Sequence, residues 1–279
     1  MNNLQTQFDN NPGLEEEMKN SALGVDSITN EENPNFNYDD ELPNLSVLIP
    51  TYNRRKFLPL MAVNLSLMDY PRDKLEVVIY DDHPDHPLFL NTDEINEFQR
   101  QINIQVEYIY DTSKKLTIGQ KRNKLVKEAK YKICINLDDD DLYFPSYFKH
   151  SINILRNNKC GLVGSPEMMF LFPDDNFKIT GISCPAKRMI HEATFCFTKK
   201  YWKNMGGFSN AEKAEGAKMI DGNEKNVAVS NIRYNMMCIA HKGNSVNKDQ
   251  FNNENYELEN VMELPDQYKS LIKDILNKP

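Results

Sequence analysis

Four consecutive aspartates, Asp138–Asp141, directly follow the apolar stretch Tyr131–Leu137. Adjacent carboxylates repel one another, so such a run at the end of a buried strand is typical of a site where a cation compensates the charge. Oxygen ligands of this kind suit hard divalent ions such as Mg²⁺ or Mn²⁺. Taken alone, the run is explained as well by a solvated acidic turn or a weak Ca²⁺ loop. Other features of the sequence are needed to distinguish these explanations.

Two further polar clusters follow predicted strands, Thr51–Asn53 after the first strand and Asp81–Asp82 after the second. The carboxyl ends of parallel strands meet at one edge of a sheet, and ligands bind at that edge. A carboxylate there can pair with a base N–H or with ribose hydroxyls, and Tyr52 can stack on a base. An N-cap role for Asn53 is also predicted, and it does not exclude ligand contact.

The elements that position these clusters follow from the spacing of the apolar residues. In the first half, short apolar segments predict strands over residues 45–50, 75–80, 104–110 and 131–137. Apolar residues at helical spacing predict helices near residues 57–68 and 91–101, and a third one opened by a capping box at Thr117–Gln120. This alternation indicates an α/β fold with a doubly wound, mainly parallel sheet and flanking helices.

The second half has a different pattern, in which long polar loops separate shorter apolar segments. These segments predict strands over residues 177–183, 193–198, 227–229 and 234–240. Pro265 opens a final predicted helix. We expect these parts to complete one mixed-sheet domain.

The composition excludes several classes of protein. A hydrophobic content of 40% is typical of a globular protein. No apolar stretch approaches the roughly 20 residues that cross a bilayer, and no signal peptide is evident, so we expect a cytoplasmic protein. Five cysteines without Cys-x-x-Cys spacing predict buried thiols in a reducing compartment, not disulfides or zinc ligands.

The net charge of −8 is unevenly distributed. Residues 1–42 carry ten acidic residues and one lysine, which leaves 32 basic and 31 acidic residues for 43–279. We therefore expect an acidic disordered leader over 1–42, followed by the folded domain. The nearly neutral body gives no support for a nucleic-acid-binding surface.

Five short motifs occur in the order and approximate spacing of a known family. They are Pro50–Arg54, Tyr70-Pro71 with Asp81-Asp82, Gly119–Asn123, Asp138–Asp141 with Pro145, and Gly206–Phe208. In these motifs the chain resembles the family 2 glycosyltransferases of the GT-A fold, over about residues 43–245. The resemblance implies a metal-dependent enzyme that moves a sugar from a nucleotide-sugar donor, a UDP-sugar, to an acceptor hydroxyl with inversion. Residues 43–145 would then bind the nucleotide, and 146–279 would shape the acceptor side.

The resemblance also implies roles for individual residues. Those expected to hold the donor are Thr51, Tyr52, Asn53, Asp81, Asp82, Arg122, Asp138 and Asp139. Those expected to hold Mn²⁺ or Mg²⁺ are Asp138, Asp140 and His241. His191 is the candidate for acceptor contact, although both histidines also suit a purely structural role. Because alternate residues of an extended segment face the same side, Asp139 is expected to point away from Asp140 and to matter less.

The general base is the least defined part of this predicted site. The family carries Glu-Asp after its Gly-Gly-Phe turn, whereas this chain has Glu215-Gly216, with Asp221 and Glu224 further on. A carboxylate suits general-base catalysis if burial or neighbours raise its pKa. We predict Glu215 as the base and Asp221 as the second candidate. The alternative is that these acids only solvate the loop 211–226.

Other classes of function stay open. A non-catalytic nucleotide- or glycan-binding module of the same fold would explain the altered Glu215-Gly216 segment, although the intact aspartate run favours an enzyme. A nucleotidyltransferase would need a glycine-rich phosphate loop, and residues 50–60 contain no glycine. A processive synthase would carry Gln-x-x-Arg-Trp and membrane helices, whereas Trp202 follows Tyr201 here, so single-sugar transfer is expected. The acceptor, a glycan, protein or lipid, is not indicated.

Overall fold

The computed structural model describes residues 41–183, 186–244, 246–252 and 264–278. Its strands, in chain order, are β1 (Leu45–Thr51), β2 (Leu75–Asp81), β3 (Gln105–Tyr110), β4 (Ile133–Asn136), β5 (Leu142–Tyr143), β6 (Leu162–Gly164), β7 (Glu167–Phe172), β8 (Lys178–Ser183), β9 (Cys196–Thr198), β10 (Val227–Val229) and β11 (Met236–Ile239). Its α-helices are α1 (Leu58–Leu67), α2 (Thr92–Ile102), α3 (Ile118–Glu128), α4 (Tyr147–Asn157), α5 (Lys199–Asn204), α6 (Ala217–Ile220) and α7 (Asp266–Leu276). Of the predicted leader, only residues 41 and 42 lie within the described ranges.

The main sheet has the strand order β10-β6-β9-β4-β1-β2-β3. Strand β1 pairs in parallel with β2 and β4, and β2 pairs in parallel with β3. Strand β9 runs antiparallel to β4 and β6. The mainly parallel α/β sheet predicted from the sequence is therefore confirmed, and the ends of β1, β2 and β4 lie next to one another.

The central strands are buried on both faces. Along β1, Val47 and Ile49 belong to one hydrophobic cluster and Leu48 to another on the opposite face. Helices cover both faces of a parallel sheet, so its strands consist of continuous apolar runs instead of alternating apolar and polar residues. Cys134 and Cys196 lie in the same interior as free, buried thiols, as the sequence predicts for these two.

Local capping explains where two helices begin. The predicted capping box is present at the start of α3, where the Thr117 side chain accepts the Gln120 N–H and Gln120 reaches back to the Thr117 backbone. Pro59 lies in the first turn of α1, where its missing N–H costs nothing. The predicted N-cap role of Asn53 is wrong, because this residue has φ +56° and forms a left-handed turn between β1 and a 3-10 helix, Arg55–Phe57.

The second half departs most from the prediction. The predicted strand over 193–198 is a strand only at Cys196–Thr198 and begins as a 3-10 turn, Glu192–Thr194. Strands β5, β11, β7 and β8 form a second sheet in that order, which the apolar pattern does not indicate. Helices α4 and α5 are also absent from the prediction. Within the described ranges, no helix is long and apolar enough to cross a membrane.

Candidate active site

Asp81 ends β2 at the edge where the parallel strands end. Its side chain is fully buried and accepts hydrogen bonds from two backbone N–H groups, that of His83 at 3.1 Å and that of Leu88 at 2.7 Å. The Tyr108 hydroxyl donates a third hydrogen bond, at 2.8 Å. The predicted nucleotide contact of Asp81 therefore falls on a carboxylate that already has three protein donors.

The next residue, Asp82, is paired with a lysine. Lys121 Nζ lies 2.5 Å from Asp82 Oδ1 and donates to the Thr51 carbonyl at 2.8 Å. The same amine is 5.0 Å from the centroid of the Tyr52 ring, and that of Lys115 is 4.2 Å from it. Three residues predicted to bind the nucleotide thus come together around Lys121, which is not among the predicted site residues.

Asp138 and Asp140 each contact an arginine from another segment. Arg122 Nη2 donates to Asp138 Oδ1 at 2.9 Å. Arg54 Nη2 lies 3.1 Å from Asp140 Oδ2 and donates to the Gly243 carbonyl at 2.5 Å. Arginine side chains therefore compensate the charge of the aspartate run in this structure.

Asp139 and Asp141 are the buried members of the run. Burial raises the pKa of Asp139 well above its usual range, and the charge of Asp140 raises it further. The same two causes raise the pKa of Asp141, whose Oδ1 accepts the Ile239 N–H at 3.0 Å. Asp141 thus anchors β11, while Asp138 and Asp140 keep more exposed side chains, at 25% and 14% exposure.

His241 contacts one of the other predicted metal ligands. Its Nε2 lies 3.1 Å from Asp140 Oδ2, and its Nδ1 accepts the Gly243 N–H at 3.0 Å. This network assigns the ring proton to Nε2, so metal ligation through Nε2 would require the proton to move to Nδ1. Within the described ranges, no three His, Cys, Asp or Glu side chains are gathered closely enough to hold a metal ion. The third predicted ligand, Asp138, is turned to Arg122 instead.

Arg122 is a buried link between two carboxylates. Besides Asp138, it binds Glu215, with Nε donating to Oε1 at 2.8 Å. Burial lowers the pKa of Arg122, but Asp138 and Glu215 outweigh burial and raise it above its ordinary value. Glu215, the residue predicted as the base, is therefore held in a buried ion pair, and its catalytic role stays a prediction.

The segment that carries Glu215 packs closely against the start of α3 and is hydrogen-bonded to it. A Cβ atom on Gly119 would lie 1.8 Å from the Ser209 carbonyl oxygen, so the close approach of this segment requires glycine. Asn123 Nδ2 donates to the Phe208 carbonyl, and the Phe208 N–H donates back to Asn123 Oδ1, each at 2.9 Å. These contacts place Glu215 beside the strand ends although it lies far along the chain.

The 3-10 turn Glu192–Thr194 places Glu192 next to the segment that carries Glu215, and His191 directly precedes this turn. Burial lowers the pKa of His191 to about 4, so its ring is neutral near pH 7. Glu192 Oε1 accepts the Gly216 N–H at 3.0 Å. Burial raises the pKa of Glu192 to about 7, and the charge of Glu215 acts in the same direction. No motif marks Glu192 in the sequence, and only the fold brings it next to Glu215.

Two predicted site residues lie outside this cluster. Asp221 is exposed after α6, and its N–H donates to the Ala217 carbonyl at 2.9 Å. Asn53 is also exposed, in the left-handed turn after β1. Arg54 and Lys121 join the cluster without having been assigned. The sequence feature that could have indicated them is that each is a basic residue directly next to a predicted site residue.

A family model described as Glycosyl transferase family 2 matches residues 46–204, which is more than half of the chain. The chain therefore belongs to glycosyl transferase family 2. The matched span begins in β1 and extends to the end of α5. It includes Arg122 and the aspartate run but not Glu215.

Individual proteins that are similar to this chain agree with the family assignment. Poly(ribitol-phosphate) beta-N-acetylglucosaminyltransferase TarS of Staphylococcus aureus is 29% identical over 97 residues, or 34% of this chain, and the match spans only 16% of TarS. The structure of TarS 1–349 in complex with UDP has a TM-score of 0.55 at 15% identity, covering 84% of this chain and 71% of that one.

A second solved structure has the same fold. The mannosyltransferase PcManGT from Pyrobaculum calidifontis, in complex with GDP-Man and Mn²⁺, has a TM-score of 0.51 at 18% identity and covers 75% of this chain and 62% of that one. At such low identities these likenesses establish the fold alone, which is the GT-A type expected from the motifs.

Proposed function

We propose that this protein transfers a sugar from a UDP-sugar to an acceptor hydroxyl, with inversion at the anomeric carbon. One observation carries the proposal: the ends of β1, β2 and β4 gather Thr51, Asp82 and Asp138 together with Lys121 and Arg122. A ligand at this edge would meet carboxylates that can accept from base or ribose groups and cations that can bind phosphate.

The two halves of the domain would divide the work. Residues 43–145 would hold the nucleotide, with Tyr52 stacking on the base, and residues 146–279 would shape the acceptor side around His191. TarS structures in complex with UDP and with UDP-GlcNAc support a uridine nucleotide as the first donor class to test.

Asp138 and Asp140 would hold a Mn²⁺ or Mg²⁺ ion, with His241 as a third ligand after its ring proton moves. Carboxylate oxygens and an imidazole are a donor set that suits Mn²⁺, and the PcManGT structure contains this ion. When bound, such an ion stabilises the negative charge of the departing diphosphate as a Lewis acid. Arg54 and Arg122 touch the same carboxylates and would add positive charge on that side.

A thermal-shift screen tests this proposal. UDP, GDP and ADP are each added with Mn²⁺, Mg²⁺ or EDTA, and a nucleotide present at 100 times its Kd stabilises the fold by about 2.7 kcal/mol. We expect UDP with Mn²⁺ to give the largest rise in melting temperature. Release of UDP from UDP-N-acetylglucosamine, UDP-glucose and UDP-galactose then tests turnover. Binding without turnover of any donor would favour the non-catalytic module, and the lack of any shift would contradict both.

A further inference from the structure

The space beside Gly216 is filled by the side chain of Glu192. A Cβ atom on Gly216 would lie 2.6 Å from Glu192 Cγ and 2.6 Å from Phe195 Cε2. The Gly216 N–H donates to Glu192 Oε1 at 3.0 Å. A side chain at position 216 is therefore excluded, and the carboxylate that occupies this place comes from a different part of the chain.

The two adjacent carboxylates, Glu192 and Glu215, have different partners. Glu215 Oε1 accepts a charged hydrogen bond from Arg122 at 2.8 Å, so Glu215 is paired with a cation. Glu192 Oε1 accepts the neutral Gly216 N–H, and the backbone N–H of Glu192 itself also lowers the pKa of this carboxyl group. Within the described ranges, Glu192 has no ion pair with a basic side chain. Of the two carboxylates, Glu192 is therefore the one that can take a proton from a ligand without giving up a cation.

The backbone of Glu192 is tied to the end of β4, from which the aspartate run continues. Asn136 Nδ2 donates to the Glu192 carbonyl at 2.7 Å. The Tyr143 hydroxyl accepts the Asp138 N–H at 2.8 Å and donates to the Ala193 carbonyl at 3.2 Å. Glu192 is thus held next to the proposed donor site by two short chains of hydrogen bonds.

The ionisable groups around Glu192 suit proton transfer near neutral pH. Glu215 faces it from the segment before α6, Arg122 faces it from α3, and His191 precedes it in the same turn. Burial and the charge of Glu215 raise the pKa of Glu192 to about 7, against the lowering effect of its own backbone N–H, the Gly216 N–H and Arg122. A base is most effective when its pKa lies near the working pH.

We propose that Glu192 is the general base of the transfer, and that Glu215 and Arg122 position it. This inference rests on the proposed function. The acceptor O–H gives its proton to the Glu192 carboxylate while the acceptor oxygen bonds to the anomeric carbon. The bond from that carbon to the diphosphate breaks, and its electron pair leaves with the nucleoside diphosphate. The proton on Glu192 then passes to solvent.

The experiment compares Glu192→Gln with the wild type and with Glu128→Gln, which changes an exposed glutamate in α3. UDP release from UDP-N-acetylglucosamine, UDP-glucose or UDP-galactose, with water as acceptor and Mn²⁺ present, is measured from pH 5 to 9. Because the ionised form of the base is active, the wild-type rate should rise with pH through about 7. Glu192→Gln should lose turnover by about 10²–10⁴-fold and lose this rise, while the UDP-induced shift in melting temperature stays unchanged.

Other outcomes separate the base from the function as a whole. Suppose that the wild type turns over a donor. If Glu192→Gln then keeps its rate, or loses rate but keeps the rise with pH, the role of Glu192 is overturned and the proposed function stands. A wild type that neither binds UDP nor turns over any donor would overturn both. Should Glu192→Gln fail to fold, Glu192→Asp decides: a displaced pH rise supports the base, and an undisplaced one overturns it.

Discussion

Carboxylates at the ends of β2 and β4, the strands on either side of β1, have different partners. At the end of β2, Asp81 accepts three hydrogen bonds, two of them from backbone N–H groups. After β4, Asp138 and Asp140 are bound by the side chains of Arg122 and Arg54, which come from other segments. Both groups lie at the edge where a parallel sheet binds ligands, yet backbone N–H groups hold one and arginine side chains hold the other.

The two groups of carboxylates differ in whether their hydrogen-bond partners can move. A backbone N–H bound to Asp81 cannot leave without unfolding the loop after β2, whereas an arginine side chain can rotate toward the phosphate of a ligand. Asp81 therefore fixes the shape of the loop after β2. Under the proposed function, Asp138 and Asp140 would exchange their arginine partners for a metal ion or a donor. Changes at the first group should lower stability, and changes at the second should lower activity.

The largest expected effect is on turnover at the second group. Asp140→Ala removes a proposed metal ligand and should reduce Mn²⁺-dependent UDP release by at least about 10²–10³-fold, the range seen when one transition-state charge contact is lost. The rate is measured with the donor that gives the greatest thermal shift. Asp274→Ala, at an exposed aspartate in α7, is the matched control. Near-normal Mn²⁺-dependent turnover in Asp140→Ala would remove the metal assignment.

A smaller effect, on stability, is expected at the first group. Asp81→Asn replaces an acceptor oxygen by an amide donor that faces other donors, so it should lower the free energy of unfolding by about 1–3 kcal/mol. Urea unfolding measures this change, with the exposed Asp85→Asn as control. If Asp81→Asn unfolds like the wild type, the structural role of Asp81 is wrong and the contrast between the two groups fails.

The smallest expected effect is a gain in stability. Since the folded state raises the pKa of Asp139, ionisation of this residue opposes folding above its ordinary pKa of 3.8. Asp139→Asn should therefore stabilise the protein at pH 7 by about 0.5–2 kcal/mol, and the gain should vanish as the pH falls below that ordinary value. Thermal unfolding at pH 7 and pH 3.5 checks this, with Asp274→Asn as control. A loss of stability at pH 7 would mean that the charge of Asp139 is favourable.

Much of the half proposed to bind the nucleotide could be predicted, because its elements depend on residues that are close together in the chain. The strand before Thr51, the strand before Asp81 and the capping box at Thr117 each follow from the spacing of a few neighbouring residues. The turn at Glu192 could not be predicted in this way. Its apolar neighbours favour a strand, while the hydrogen bond from Asn136 holds the turn from across the sheet.

The α/β class, the family resemblance and the presence of carboxylates at two strand ends follow from the sequence alone, because apolar periodicity and short motifs depend on residues close together in the chain. Which cation or N–H each carboxylate contacts depends on the tertiary structure. The pairing of Arg122 with Glu215 joins residues 93 apart, and that of Glu192 with Gly216 joins residues 24 apart. Such contacts depend on how whole segments pack, and they determine which carboxylate is paired with a cation.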